Sequence, residues 1–179
     1  GMQEYFYGLV DALSARLRGG EVLLASYSGE ESDFVRFNRS RVRQAGHVSQ
    51  AHVGLELVAG GRHAKGSLSV SREERADTEG LAAMLAGLRA QLPHVPEDPY
   101  LLYATEVRSG EQHGEDRLPD RGEALAAILG AGAGRDMVGI YAQGGICHGF
   151  ANSLGQRNWF STHSFNLDWS FYHAADKAV

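Results

Sequence analysis

Eight histidines, one cysteine and a run of closely spaced arginines carry most of the reactive chemistry in this chain. Zinc-dependent hydrolysis needs two imidazoles and a carboxylate base placed by one helix, as in His-Glu-x-x-His. None of the eight histidines is followed by glutamate. His47, His52 and His63 fall in one strand-like region, and His148, His163 and His173 in another. A metal site would need them to converge from separate strands, so surface or hydrogen-bonded imidazoles are the plainer reading. Cys147-His148 has the ingredients of a thiol nucleophile and its base. Neighbours in a strand point to opposite faces, which favours a buried thiol beside a solvated histidine. The chain has neither a Gly-x-Ser-x-Gly elbow nor a Gly-x-x-x-x-Gly-Lys phosphate loop. No catalytic, cofactor-binding or metal-binding residue is assigned.

Two groups could bind rather than react. Arg36, Arg39, Arg41 and Arg43 form the one basic cluster, and residues 39, 41 and 43 share one face of a strand. Guanidinium groups in a row could hold carboxylates, phosphates or an acidic partner surface. They could equally be a solvated sheet face balanced by Glu30, Glu31 and Asp33. The second group is Asn152, Gln156, Arg157, Asn158, Trp159, Asp168 and Trp169. Trp and Arg often anchor interfaces, whereas amides beside turns also make ordinary turn-stabilising bonds. Both groups are candidate interface or peptide contacts, and strand-edge capture of an extended peptide would suit the second.

These residues need elements to position them. Tyr5, Leu9, Leu13 and Leu17, with Phe6 and Val10, predict a helix over residues 3–18, ended by Gly19-Gly20. Residues 21–27 read as a buried strand and Gly29-Glu30-Glu31-Ser32 as a turn. Val35 and Phe37 share one strand face, with Phe34 and Arg36 on the other. Asn38-Arg39-Ser40 is a turn, and Arg41 resumes a strand. Ala51, Val53, Leu55 and Leu57 line a further strand. Gly60-Gly61 is a hairpin signal, and Ala64, Gly66, Leu68 and Val70 line the return. Four or five strands are expected between residues 21 and 71. A helix over residues 77–92 carries Leu81, Leu85, Leu88 and Leu92, and prolines at 93, 96 and 99 end it. A strand over 101–107, a mobile polar loop over 109–119 and a helix capped by Asp120 follow. The last run predicts strands over 137–142, 146–152, 157–161 and 166–173, with turns at 144–145, 153–155 and 162–164. The plan is α+β: two mostly antiparallel β-meanders with helices at the N-terminus and between them.

At 179 residues, with 43% hydrophobic and 22% charged residues, the composition is that of one globular domain, residues 1–179, with lobes of roughly 1–92 and 93–179. No apolar run reaches the ~20 residues that span a bilayer, and no signal peptide is visible. One cysteine excludes an intrachain disulfide and fits a cytoplasmic location. A net charge of −5 gives no overall attraction to nucleic acid.

Asp136-Met137-Val138-Gly139-Ile140-Tyr141-Ala142-Gln143-Gly144-Gly145, then Gly149-Phe150-Ala151-Asn152-Ser153-Leu154-Gly155-Gln156-Arg157-Asn158-Trp159, resembles the TldD/PmbA family. That family has long been labelled as modulators of DNA gyrase and is similar to zinc-dependent peptidases. Val35-Arg36-Phe37-Asn38-Arg39-Ser40-Arg41-Val42-Arg43-Gln44 looks like the family's first meander. The resemblance implies the N-terminal domain of a longer cytosolic metallopeptidase acting on unfolded or leader peptides. It implies zinc in a C-terminal half, whose ligand positions have no counterpart here. It also implies partners: that catalytic half, a peptide substrate, and a second copy or a paralogue as dimer mate; composition argues against a membrane and net charge against nucleic acid. The second meander is expected to face the catalytic half. The alternative is a free-standing regulatory protein that binds DNA gyrase or another target directly. A third reading, a small metal enzyme using His148, His163 and His173, requires a convergence the spacing does not supply.

Overall fold

Met2–Ser14 forms α1, because Phe6, Leu9, Val10 and Leu13 recur at helical spacing and all four are buried. Tyr5 and Leu17 pack at the margin of the same core. The computed structural model describes residues 1–39, 41–101, 110–113, 123, 126–127 and 136–172. After α1 come three strands, β1 (Val22–Asn38), β2 (Arg41–Ala59) and β3 (Arg62–Ser69), then α2 (Glu74–Gln91) and a single 3₁₀ turn, Leu92–His94. The short β4 (Gly110–His113) and the long β5 (Asp136–Asn152) and β6 (Arg157–Tyr172) complete the order. The class is α+β as expected. The strands form one six-stranded sheet in the order β3-β2-β1-β5-β6-β4. Short turns join β1 to β2, β2 to β3 and β5 to β6, a connection open only to antiparallel neighbours. β4 lies parallel to β6, from Gly110 opposite Asn158 to His113 opposite Ser161.

Several expected turns are strand interior. Gly29-Glu30-Glu31-Ser32 lies inside β1, Gly144-Gly145 inside β5 and Thr162-His163-Ser164 inside β6. Residues 41–44 and 51–57 likewise belong to one strand, so three strands occupy 21–71 rather than four or five. The glycines misled because they serve close approach, not reversal. A Cβ at Gly144 would lie 2.4 Å from the Ser32 hydroxyl oxygen and 2.7 Å from the Glu31 carbonyl oxygen. At Gly29 it would meet the Tyr27 ring at 2.8 Å. True turns show a different sign. Gly60 and Gly61 have φ of 59° and 73°, and Gly155 of 102°, in the left-handed region that favours glycine. Arg39 turns the chain after β1 at φ 50°.

α2 begins one turn earlier than predicted, at Glu74. Residues 110–113 of the expected loop pair as β4. The strand predicted over 101–107, apart from residue 101, and the Asp120 cap lie outside the described residues.

The chain forms two compact units. The first comprises Gly1–Gly29, Gln50–His113 and Cys147–Ser161; the second comprises Glu30–Ser49, Gly114–Ile146 and Thr162–Val179. In the first, α1 and α2 pack on each other and α2 packs on β3. Leu81, Leu85 and Leu88 from α2 join Leu23, Ala25 and Tyr27 from β1 and Val53, Leu55 and Leu57 from β2. Buried Asp77 ties this core together. Its carboxylate accepts from the Ser71 and Arg72 backbone N–H groups at 2.9 and 2.8 Å and from the Tyr5 hydroxyl. In the second unit Val35, Phe37 and Tyr141 are buried, and the Tyr141 and Phe165 rings pack 5.3 Å apart.

Candidate functional site

The seven polar-aromatic residues divide between the units. Asn152, Gln156, Arg157, Asn158 and Trp159 belong to the first, Asp168 and Trp169 to the second. In the first unit they build a turn and a core. The Asn152 side-chain oxygen accepts from the Leu154 and Gln156 backbone N–H groups at 2.9 and 3.0 Å, closing the β5–β6 reversal. Gln156 donates to Asn158 at 2.7 Å. Arg157 donates to the Asn152 and Gln156 carbonyls, binds the Asp11 carboxylate and sits over the Tyr7 ring. Trp159 is 5% exposed and packs among Phe6, Tyr7 and Tyr27.

The second unit is arranged otherwise. A groove of about 650 Å³ is lined in part by Phe37, Val138, Gly139, Ile140 and Trp169. Arg36, Arg43, Asn38, Asp168 and Ser170 complete its lining. Gly139 is required there, because a Cβ would fall 2.6 Å from the Phe37 ring and 2.5 Å from the Asp168 carbonyl oxygen. Three side-chain contacts fix which residues of β1 and β2 share a face. The Phe34 ring lies over Gly46, His47 bonds Asp33 at 2.9 Å, and Ser49 donates to Glu31 at 3.4 Å. Continued toward the Arg39 turn, that alternation puts Arg43 on the face of Phe37. The groove therefore unites Arg43 of the basic row with Asp168 and Trp169 of the polar-aromatic set. Arg39 and Arg41 do not line it.

Charge and exposure set this region apart. Residues 36–43 hold four arginines and no carboxylate, against a chain net charge of −5. All four arginines are exposed, and among the described residues none has a carboxylate within ion-pair distance. Val42, Ile140, Ile146, Phe165 and Trp169 are exposed in the same unit, Trp169 to 51%. Ile140 and Gly139 were not singled out from the sequence. Their signal was present only as a strand run too ordinary to separate core from groove.

Four histidines each have a hydrogen-bond partner of their own. His47 bonds Asp33, His63 bonds Glu56 at 2.9 Å, His52 meets the Ser69 hydroxyl and His113 the Ser161 hydroxyl. His148 lines a separate groove of about 460 Å³ in the first unit with Glu111 and Trp159. His173 lies outside the described residues. Among those residues no group of three or more His, Cys, Asp or Glu side chains converges as metal ligands. The one cysteine, Cys147, is half-buried and packs against the core of the first unit.

Tyr5, Asp77 and Glu21 are among the titrating groups displaced in the first unit. Burial and the hydrogen bond to Asp77 push the Tyr5 hydroxyl upward. Burial opposes the charge on Asp77, yet donors from Tyr5, Ser71 and Arg72 hold its carboxyl below the usual range. Arg89 holds Glu21 low through paired bonds of 2.7 and 2.8 Å.

No family model and no curated protein matches the chain. Solved structures do. A candidate modulator of a DNA gyrase from Thermotoga maritima aligns over 99% of this chain and 42% of its own, with TM-score 0.58 and 14% identity. A second candidate gyrase modulator, from Bacteroides thetaiotaomicron, aligns over 98% and 42%, with TM-score 0.55 and 16% identity. TldE from Thermococcus kodakarensis aligns over 98% and 41%, with TM-score 0.50 and 11% identity. The fold is that of part of a TldD/PmbA-type protein. The chain spans less than half the length of each of these three structures. No helix among the described residues is long and apolar enough to cross a membrane.

Proposed function

We propose that this chain is the N-terminal assembly and peptide-binding domain of a TldD/PmbA-like zinc metallopeptidase acting on unfolded or leader peptides in the cytoplasm. The observation that carries the reading is the fold, which accounts for nearly all of this chain and about 42% of longer TldD/PmbA-type proteins. The second unit adds the surface such a role needs: an open apolar groove with arginines at its margin. In this reading zinc and the hydrolytic groups belong to a catalytic half, and this chain holds peptide and makes dimer contacts with a copy or a paralogue. The test is reconstitution with a separately produced zinc-binding C-terminal half. Sizing should show a complex, and cleavage of a denatured peptide should require both parts. Peptidase activity of this chain alone, or failure of the two to associate, would refute the assignment.

A second reading is a regulatory protein that binds DNA gyrase directly. It draws on the names of the two gyrase-modulator structures and on the exposed arginine row. Capture of gyrase subunits by this chain, abolished by charge reversal at Arg39, Arg41 and Arg43, would favour it.

A further inference from the structure

We propose that the groove of the second unit selects a short extended protein segment bearing a carboxylate and a large apolar side chain about three to four residues apart. The inference rests on the peptide-binding part of the function proposed above and specifies its ligand. The groove takes residues from four strands adjacent in the sheet, and Arg43 from β2, Phe37 from β1, Gly139 from β5 and Trp169 from β6 share one face there. Strands about 4.8 Å apart make it about 14 Å across, the length of roughly four extended residues. Its two ends differ in chemistry. Arg43 lies on the β2 side, exposed and with no carboxylate in reach among the described residues. The indole of Trp169 lies on the β6 side, 51% exposed to water. Covering that surface with an apolar side chain is favourable, and a planar guanidinium holds a carboxylate with directional bonds.

The same arrangement argues against a nucleic-acid strand. A polyanion needs positive charge along its whole track, whereas this groove is apolar through its centre and carries Asp168 at the Trp169 end. The net charge of −5 adds a general repulsion.

The test is fluorescence anisotropy with the whole chain and four labelled probes. They are a peptide of about eight residues with glutamate and phenylalanine three apart, its glutamine-for-glutamate analogue, its alanine-for-phenylalanine analogue, and a short single-stranded DNA of mixed sequence. The glutamate–phenylalanine peptide should bind best, with each analogue weakened about tenfold. Arg43→Gln should weaken the glutamate peptide by a similar factor and leave the glutamine analogue unchanged, as a coupled pair requires. Trp169→Ala should erase the difference made by phenylalanine. Circular dichroism of both variants should match the parent, and an Arg43→Lys variant should recover part of the binding. Equal binding of the glutamate and glutamine peptides would overturn the acidic selectivity while leaving the peptide-binding role standing. Binding of no peptide would overturn both, and tighter binding of the DNA would replace this ligand class with nucleic acid.

Discussion

The chain has two tryptophans, both on β6 and ten positions apart, and they are put to opposite uses. Trp159, 5% exposed, is locked among Phe6, Tyr7 and Tyr27 in the first unit. Trp169, 51% exposed, lines a groove in the second. The contrast extends to charge. In the first unit Arg157 and Arg89 are each bound to a carboxylate and to backbone carbonyls. In the second, four arginines between residues 36 and 43 have no such carboxylate among the described residues. One strand thus supplies a buried tryptophan to the first unit and an exposed one to the second. A tryptophan's role follows from what packs on it, because its area stabilises folding only when other apolar atoms cover it.

The comparison can be broken most sharply at the tryptophans. Trp159→Ala should cost about 3–5 kcal/mol in urea unfolding, the range for deleting a core aromatic. Its counterpart Trp169→Ala should change stability by less than about 1 kcal/mol. Equal losses would dissolve the distinction between the units.

Next in size is Asp77→Ala, which leaves the Ser71 and Arg72 N–H groups and the Tyr5 hydroxyl without their acceptor. A loss of about 2–4 kcal/mol is expected from thermal or urea unfolding. The same group predicts a pH dependence. Its folded pKa is lowered, so the unfolded state binds the proton more readily. The stabilisation is complete above the unfolded value near 4 and is lost as pH falls through the lowered folded value. Tyr5 works in the other direction. Its folded pKa is raised, so its contribution is full below about pH 10 and is lost as pH climbs toward the folded value. Asp77→Asn should flatten the acid limb of a stability–pH curve.

A smaller effect probes the continuous strands. Gly144→Ala should cost about 1–3 kcal/mol, since its Cβ would press on the Ser32 hydroxyl and the Glu31 carbonyl oxygen. A neutral outcome would fit a turn at 144–145 and contradict the strand. The smallest effect sharpens the picture of the second unit. Arg41→Glu should alter stability by no more than about 0.5 kcal/mol, because the side chain is exposed and has no ion-pair partner among the described residues.

Much of the fold was legible because local chemistry fixes it. The spacing of Phe6, Leu9, Val10 and Leu13, the alternation through Val53, Leu55 and Leu57, and Gly60-Gly61 each have one low-energy local reading. The glycines at 29, 144 and 145 did not, because a glycine that reverses the chain and one that admits a neighbouring ring or hydroxyl look alike in one dimension. Asp77 was read as a helix start rather than a buried acceptor, since its donor Tyr5 approaches it only after α1 and α2 pack. The candidate site was legible in type but not in grouping. Arg43, Asp168 and Trp169 were each singled out, yet they came from two sets that the sequence kept apart.

The sequence by itself determined the α+β class, the amphipathic helix faces, the hairpin at residues 60–61 and the resemblance in wording to TldD/PmbA proteins. Those properties follow from periodicity and backbone preference within a few residues. Tertiary structure alone decided which tryptophan is core and which is exposed, and that Arg43 and Trp169 line one groove. Both depend on strand neighbours more than a hundred residues apart in sequence, and no local pattern encodes which strand lies beside which.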